Sequence, residues 1–168
     1  MSTPTNTQAV VVGLIADTHC KLADGCDLPD TAVDALRGCD VIVHLGDLTS
    51  LGVLDRLAAG GAEVIGIRNP LLDAPVGTDR RLVDGPVYRD VGGRRLAFVR
   101  EYPADGVDAD VIAYGVPPGG GGHDHRVVLA GTALIVSPGS PNLPVRHGTV
   151  ALLTFTENVE VEIVHLPT

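Results

Sequence analysis

Aromatic side chains are scarce in this sequence of 168 residues: they make up 3% of it, and tryptophan is absent. The hydrophobic fraction is nevertheless 45% and the mean hydropathy is +0.25. The core must therefore be built from Val, Leu, Ile and Ala. This length and this amount of apolar material suit one domain, residues 1–168, in which residues 1–8 are expected to form a flexible polar tail.

Long apolar runs are also missing, since none approaches the roughly 20 residues of a membrane-spanning helix. The first eight residues lack the basic and apolar regions of a secretory signal. We therefore expect a cytoplasmic protein that does not contact a membrane. The three cysteines, Cys20, Cys26 and Cys39, are an odd number, which argues against a disulfide framework. Each is expected to be a small buried side chain.

Basic residues are few: 12 Lys and Arg stand against 21 Asp and Glu, which gives a formal net charge of −9. Such a field repels polyanions, so the charge excludes nucleic-acid binding through a basic face. A phosphorylated small molecule stays compatible with it, because a bound divalent cation reverses the local sign of charge.

The first seventy residues alternate apolar runs of strand length with helical patterns. Three runs predict strands buried on both faces of a sheet: residues 9–16, 40–45 and 62–67. One helix is expected to begin at residues 29–31 and to end by Gly38. A second is expected to be capped by Ser50 and to end at residues 60–61. This order predicts a parallel sheet with right-handed crossovers.

The second half contains short apolar runs separated by turn residues, which is typical of β hairpins. The predicted pairs are residues 86–91 with 94–99, 127–129 with 133–136, and 150–155 with 159–165. Residues 110–114 predict one more strand, and the glycine-rich stretch 115–122 predicts a mobile surface loop. The chain as a whole is thus predicted to be an α/β protein.

Polar side chains follow each of the first three predicted strands. Asp17 and His19 come after the first strand, Asp47 after the second and Asn69 after the third. Ligands collect at the carboxyl ends of strands in an open α/β sheet, so these side chains can converge. Carboxylates and an imidazole suit a divalent metal. Any one of them alone could be an ordinary turn residue, but three successive strands that end this way favour a site.

Two segments that carry these residues, GLIADTHC (13–20) and VIVHLGDLTS (41–50), resemble the first two motifs of the calcineurin-like metallophosphoesterase superfamily. The likeness is greatest to its small microbial phosphodiesterase branch, which shares its fold with a retromer subunit. LIVSPGSPNLPVR (134–146) resembles that branch's NPGS-type turn. The resemblance runs from about residue 10 to 164 and implies a four-layer αββα sandwich of two mixed sheets.

The resemblance also implies a two-metal site. By position, Asp17 and His19 would bind the first ion, Asp47 would bridge, and Asn69 would bind the second. The helper residue that the family has beside this Asn is missing. Where the family has an HGH motif, this chain has Arg100, which cannot ligate a cation because its guanidinium stays protonated. Its charge would oppose a second metal or contact a substrate phosphate.

The family's last motif, GHTH, has two registers in this chain. By position it falls on residues 116–118, which hold no ligand. By chemistry it falls on His123 and His125, which requires the preceding glycines to be an insertion. His-x-His can direct both rings to one side of an extended segment, so both are candidate metal ligands. The alternative is that both are exposed at a loop tip.

The remaining candidates are expected to be structural. His44 lies within a buried strand and is predicted to be a hydrogen-bonded core histidine. Ser140 is predicted to be a turn residue rather than a nucleophile, because no G-x-S-x-G sequence surrounds it. Arg146, His147 and His165 are predicted to lie at the surface.

The resemblance favours a metal-dependent phosphoesterase, a phosphodiesterase or phosphatase, that acts through metal-activated water. Asp47 and Arg100 would be catalytic, and the ligand count predicts one tightly held divalent ion, which could be manganese, zinc, iron or nickel. The altered motifs favour the alternative, a catalytically impaired scaffold that binds a partner protein or a small ligand. A homo-oligomer is compatible with either hypothesis.

Overall fold

The computed structural model describes residues 8–102, 105–117, 122–143 and 148–167, and Arg146 and His147 lie outside them. The described strands are, in chain order, β1 (Val10–Ile15), β2 (Val41–His44), β3 (Glu63–Ile67), β4 (Leu82–Val83), β5 (Val87–Val91), β6 (Arg94–Glu101), β7 (Val111–Val116), β8 (Arg126–Ala130), β9 (Ala133–Ser137), β10 (Thr149–Phe155) and β11 (Val159–His165). The helices are α1 (Asp30–Ala35) and α2 (Gly52–Ala58), with a 3-10 turn at Ala74–Val76.

The first three strands are parallel neighbours, as predicted: β1 pairs with β2, and β2 pairs with β3. They belong to a six-stranded sheet with the order β11-β10-β1-β2-β3-β4. The last hairpin joins this sheet because β10 runs antiparallel to β1. The two-residue strand β4 was not predicted, since two residues are too few to show a period. The carboxyl ends of β1, β2 and β3 therefore lie at one edge.

The second sheet has five strands in the order β5-β6-β7-β9-β8. The predicted hairpins β5/β6 and β8/β9 are antiparallel, which confirms them. β7 joins them with two parallel partners, β6 and β9, so this sheet is mixed. The α/β class with two mixed sheets is thereby confirmed.

The two sheets pack face to face over an aliphatic core. Inward side chains alternate along the strands, such as Val12 and Leu14 on β1 and Leu96 and Phe98 on β6. Both helices pack on the outer face of the six-stranded sheet. Within the described ranges no helix covers the outer face of the five-stranded sheet. Partly buried side chains pack there instead, including those of Tyr102, Val107 and Ala109.

Two local predictions are wrong. Ser50 does not cap α2, whose N-cap is Leu51, because the Ser50 hydroxyl donates to the carbonyl oxygens of Leu22 (2.8 Å) and Ala23 (3.0 Å). Cys20 and Cys39 are buried as expected, but Cys26 is exposed because it lies in the surface loop between β1 and α1. No helix in the described part of the chain has the length and apolarity needed to cross a bilayer.

The inter-sheet core predicts a measurable difference between two leucines. Leu14 is fully buried in that core, whereas Leu129 on the edge strand β8 is 70% exposed. Leu14→Ala should lower the free energy of unfolding by about 2–5 kcal/mol, because it removes buried methyl groups and leaves a cavity. Leu129→Ala, the matched control, should change it by less than about 0.5 kcal/mol. Urea denaturation measures both, and equal losses would contradict this packing.

Candidate metal centre

Asp17, His19 and Asp47 lie together where β1 and β2 end. One ligand atom from each falls within 4.8 Å of the others. His19 Nε2 is 3.4 Å from Asp47 Oδ2 and 3.8 Å from Asp17 Oδ1. Asp17 is fully buried and Asp47 nearly so, while the His19 side chain is 30% exposed. The cluster is therefore closed on the protein side and open to solvent at His19.

The two loops that carry these residues have an unusual backbone. Asp17 and His19 have φ angles of 53° and 43°, and Asp47 and Thr49 have φ angles of 58° and 60°. No other non-glycine residue of the described ranges has a positive φ. Left-handed conformations cost L-residues energy and persist at functional sites only where the surroundings enforce them. The same alternation in both loops therefore reflects an enforced geometry.

Hydrogen bonds between the loops enforce that geometry. Asp17 N–H donates to Gly46 O, and His19 N–H donates to Asp47 O, both at 3.1 Å. Beneath them, the Thr18 hydroxyl lies 2.9 Å from His44 Nε2 and donates to Leu48 O at 3.2 Å. Two backbone hydrogen bonds and a buried side-chain contact thus join the two ligand loops.

His44 is a buried, hydrogen-bonded core histidine, as predicted. Burial lowers the pKa of its ring to about 3, so the ring is neutral at physiological pH. Gly46 N–H donates to its Nδ1 at 3.3 Å, which places the ring proton on Nε2 and directs it to Thr18. His44 therefore supports the centre without contributing charge.

Gly46, which precedes Asp47, cannot be replaced without strain. Its φ angle is 117°, and a Cβ atom there would lie 2.9 Å from Arg100 Cγ. Arg100 is near the end of β6 on the same face as Phe98, so it points between the sheets. Its guanidinium pairs with Glu101 at 2.5 Å. The predicted residue Arg100 thus passes its aliphatic stem over the backbone beside Asp47.

Asn69 adjoins the cluster and fixes one of its carboxylates. Its Nδ2 donates to Asp47 Oδ1, while its Oδ1 accepts from Leu71 N–H at 2.9 Å. The amide oxygen is therefore engaged by the backbone, and the metal ligation predicted for Asn69 would require that oxygen to turn toward the site.

Asp73, which no sequence pattern marked as a site residue, is fully buried behind the cluster. Its carboxylate accepts from Thr49 N–H at 2.9 Å and from Asn69 N–H at 2.8 Å, so it ties the Asp47 loop to the Asn69 loop. The resemblance places the family's helper residue directly after Asn69, where this chain has Pro70 and Leu71. In the sequence, Asp73 is only an acidic residue four positions after Asn69. It belongs to no motif and to no periodic pattern that would indicate its role.

The two candidate histidines, His123 and His125, have different neighbours. His123 Nδ1 lies 3.1 Å from Asp17 Oδ2, and its ring meets the His19 ring edge-on at 6.1 Å. The exposed His125 instead packs edge-on against His165, with ring centroids 5.2 Å apart. Of these two candidate ligands, His123 contacts the cluster and His125 does not, because residues 122–125 do not form the extended segment that would direct both rings to one side.

The NPGS-type turn holds both the first loop and the His123 segment. Ser140, a buried turn residue as predicted, accepts from Asn142 N–H and Leu143 N–H, and it also donates to Asp17 O at 2.8 Å. A Cβ atom on Gly139, whose φ angle is 74°, would lie 3.0 Å from His123 O. This close approach positions His123 beside Asp17.

Burial and hydrogen bonding shift the pKa values of the two carboxylates in opposite directions. Burial raises the pKa of Asp17 to about 6, and the nearby charge of Asp47 adds to that rise. Burial also acts to raise the pKa of Asp47, but hydrogen bonds from His19 and Asn69 outweigh it and lower that pKa to about 2. The hydrogen bond to Asp47 raises the pKa of His19.

One buried atom tests whether the cluster suits a cation. Asp17 Oδ1 is buried and has no hydrogen-bond partner among the described residues. A buried carboxylate oxygen without a donor is costly unless a proton or a cation compensates it. With a second carboxylate and two imidazoles beside it, the donor set is that of a divalent metal that accepts nitrogen and oxygen ligands. These residues are therefore suited to hold a divalent metal ion.

Comparison with known proteins identifies the superfamily of this chain. The sequence model of the calcineurin-like phosphoesterase superfamily domain matches residues 10–158. The chain belongs to the calcineurin-like phosphoesterase superfamily. No curated protein sequence matches it.

Solved structures share the fold at low sequence identity. Vacuolar Protein Sorting 29 (Vps29) from Cryptosporidium parvum has a TM-score of 0.69 at 15% identity, over 95% of this chain and 99% of that one. An archaeal phosphodiesterase has a TM-score of 0.67 at 18% identity, over 94% and 100%. Vps29 from Entamoeba histolytica complexed with Zn²⁺ has a TM-score of 0.61 at 16% identity, over 93% and 99%.

The raised pKa of Asp17 predicts how pH affects the metal-free protein. A carboxyl whose pKa rises on folding contributes stability below about pH 3.8, and this contribution is lost as pH rises through about 6. The shift corresponds to about 3 kcal/mol. Urea denaturation in excess chelator between pH 4 and 7 should show this decline in the parent. Asp17→Asn, which cannot ionise, should flatten it, and an unchanged decline in that variant would refute the assignment.

The contacts of Asp73 predict a supporting role for its carboxylate. Asp73→Asn should weaken zinc or manganese binding by about 10–100-fold, as expected when the support of metal ligands is lost. Asp84→Asn is the control, because that side chain is 84% exposed. Titration calorimetry gives the affinities, and urea denaturation confirms that each variant is folded. Equal affinities in both variants would remove Asp73 from the site.

Proposed function

We propose that this protein is a metal-dependent phosphoesterase with an incomplete two-metal site that holds one ion tightly. The observation that carries this proposal is the buried, unpartnered oxygen of Asp17 within the Asp17, His19 and Asp47 cluster. Membership of the superfamily supports it. When bound, a divalent ion would supply an activated water and Lewis-acid stabilisation of the phosphoryl oxygens.

The protein's own residues have distinct tasks in this proposal. Asp17, His19, Asp47 and His123 hold the ion, with Asp47 oriented by the amide of Asn69. The position of His19, partly exposed above the two carboxylates, leaves the solvent side for the substrate. His125 and the oxygen of Asn69 remain predicted ligands that would have to turn toward the site.

Charge favours a diester over a monoester. Two carboxylates and one divalent ion make a centre of about zero net charge, and the nearby Arg100 is paired with Glu101. A monoester carries more negative charge than a diester and would rely more on the second ion of a complete site. The guanidinium of Arg100 becomes available to a phosphoryl oxygen only when it exchanges Glu101 for that oxygen.

The alternative is a scaffold that binds a partner protein or a small ligand. Arg100 is the observation in its favour, because it stands where the family is expected to supply a histidine ligand. Neighbours in structure include Vps29 as well as a phosphodiesterase, so likeness of fold does not choose between the two functions.

Hydrolysis of bis(p-nitrophenyl) phosphate in excess manganese separates these functions. The parent should show weak, metal-stimulated turnover with about one tightly held ion per chain. Asp47→Asn should abolish turnover, because its carboxylate serves any bound ion. Asp34→Asn, which alters a 63% exposed carboxylate on α1 outside the site, is the matched control for lost charge.

Arg100→His decides between the two functions. In the enzyme it should raise kcat, because it adds a ligand and removes an opposing charge near Asp47. The scaffold hypothesis expects no turnover in the parent or in this variant. A fall in a real parental activity would instead assign Arg100 to substrate binding.

A further inference from the structure

A surface cavity of about 300 Å³ lies between the carboxyl ends of β3 and β6. Arg68 and Pro70, which line it, flank Asn69 in sequence, and Asn69 binds Asp47. Arg100 lines its other side and passes over Gly46, the residue before Asp47. The cavity therefore borders the metal centre. A larger cavity, about 930 Å³, lies beside the first half of β3, away from the cluster.

The apolar walls of the smaller cavity make up about half of its lining residues. They are formed by Ile67, Pro70, Pro86, Val99 and Val107. A pocket of this volume with apolar walls and a few polar groups is typical of a site for an organic ligand. The walls suit the flat face of a ring.

The rim of the cavity is charged but close to neutral. Arg68 pairs with Asp84 at 3.5 Å, and Arg100 pairs with Glu101 at 2.5 Å. Asp105 adds a third carboxylate, so the described lining residues hold three carboxylates and two guanidinium groups. Carboxylates accept hydrogen bonds from hydroxyl groups, and their excess repels a further anion.

We infer that this cavity binds the alcohol portion of the ester, and that this portion is a neutral group of nucleoside size with a flat apolar face and hydroxyl groups. The inference rests on the proposed function and names its substrate class: a nucleoside phosphodiester without a further phosphate. The ring packs on the apolar walls, the hydroxyl groups donate to the rim carboxylates, and the phosphodiester reaches Asp47 past Arg100.

Two diesters with the same leaving group test the inference. In excess manganese, thymidine 5′-(p-nitrophenyl phosphate) should have a kcat/KM about tenfold above that of methyl p-nitrophenyl phosphate, mostly through a lower KM. A 3′-phosphate on the thymidine ester should lower kcat/KM, because the rim repels it. Equal values for the thymidine and methyl esters, or a gain from the 3′-phosphate, would overturn the inference.

A matched pair of variants locates the effect. Val107→Trp, which fills the cavity, should reduce the ratio of thymidine to methyl ester kcat/KM to near one. Val127→Trp places the same side chain on the edge strand β8, where Val127 is 44% exposed and does not line the cavity, and should keep the parental ratio. If both variants lower the ratio equally, the cavity is not the cause.

Binding of thymidine itself separates failure of this inference from failure of the proposed function. The titration is followed by NMR in the parent and in Val107→Trp. Thymidine binding that is lost in the variant supports the cavity even if no ester is hydrolysed, in which case only the proposed function fails. Turnover of both esters without thymidine binding by the parent leaves the proposed function standing and overturns the cavity assignment.

Discussion

The centre depends on the pairing of two strained loops at the ends of β1 and β2. Asp17 and His19 in one loop, and Asp47 and Thr49 in the other, adopt left-handed backbone conformations. Each costs about 1–3 kcal/mol, so the loops would relax if they were separate. Their two mutual backbone hydrogen bonds and the buried contact from His44 through Thr18 to Leu48 oppose that relaxation. Because of this pairing, two carboxylates and an imidazole face a common point.

The rest of the centre is attached to these loops by hydrogen bonds rather than by further sheet pairing. Asp73 binds the backbone of Thr49 and Asn69, and Ser140 binds the carbonyl of Asp17. Because these hydrogen bonds are made to backbone groups, they do not depend on the side chains of Thr49 and Asn69. In the proposed alignment with the family, both departures, Arg100 and the glycine run before His123, fall outside the two paired loops.

The sequence predicted the parts of the site that follow from strand periodicity. Residues directly after parallel strands must meet at one edge, so the placement of Asp17 and Asp47 followed from the apolar runs alone. Asp73 could not be found in this way, because its role depends on the path of a loop. The different contacts of His123 and His125 depend on an irregular backbone with no period. The pairing of β10 with β1, and the absence of a helix on the described outer face of the second sheet, depend on tertiary packing that local pattern does not encode.

The charge states of Asp17 and Asp47 bear on whether the proposed centre would hold one metal ion or two. The pKa of Asp17 is raised by burial to about 6, so in the metal-free protein this carboxyl keeps its proton in mildly acidic solution, whereas Asp47 stays ionised there. In the proposed function, one divalent ion would replace that proton and balance the charge of both carboxylates. A second ion would find Asn69 Oδ1 engaged by Leu71 N–H and the stem of Arg100 over Gly46. No further buried carboxylate faces it among the described residues, since Asp73 is committed to backbone donors. The proposed preference for one ion would therefore follow from the same hydrogen bonds that hold the loops in place.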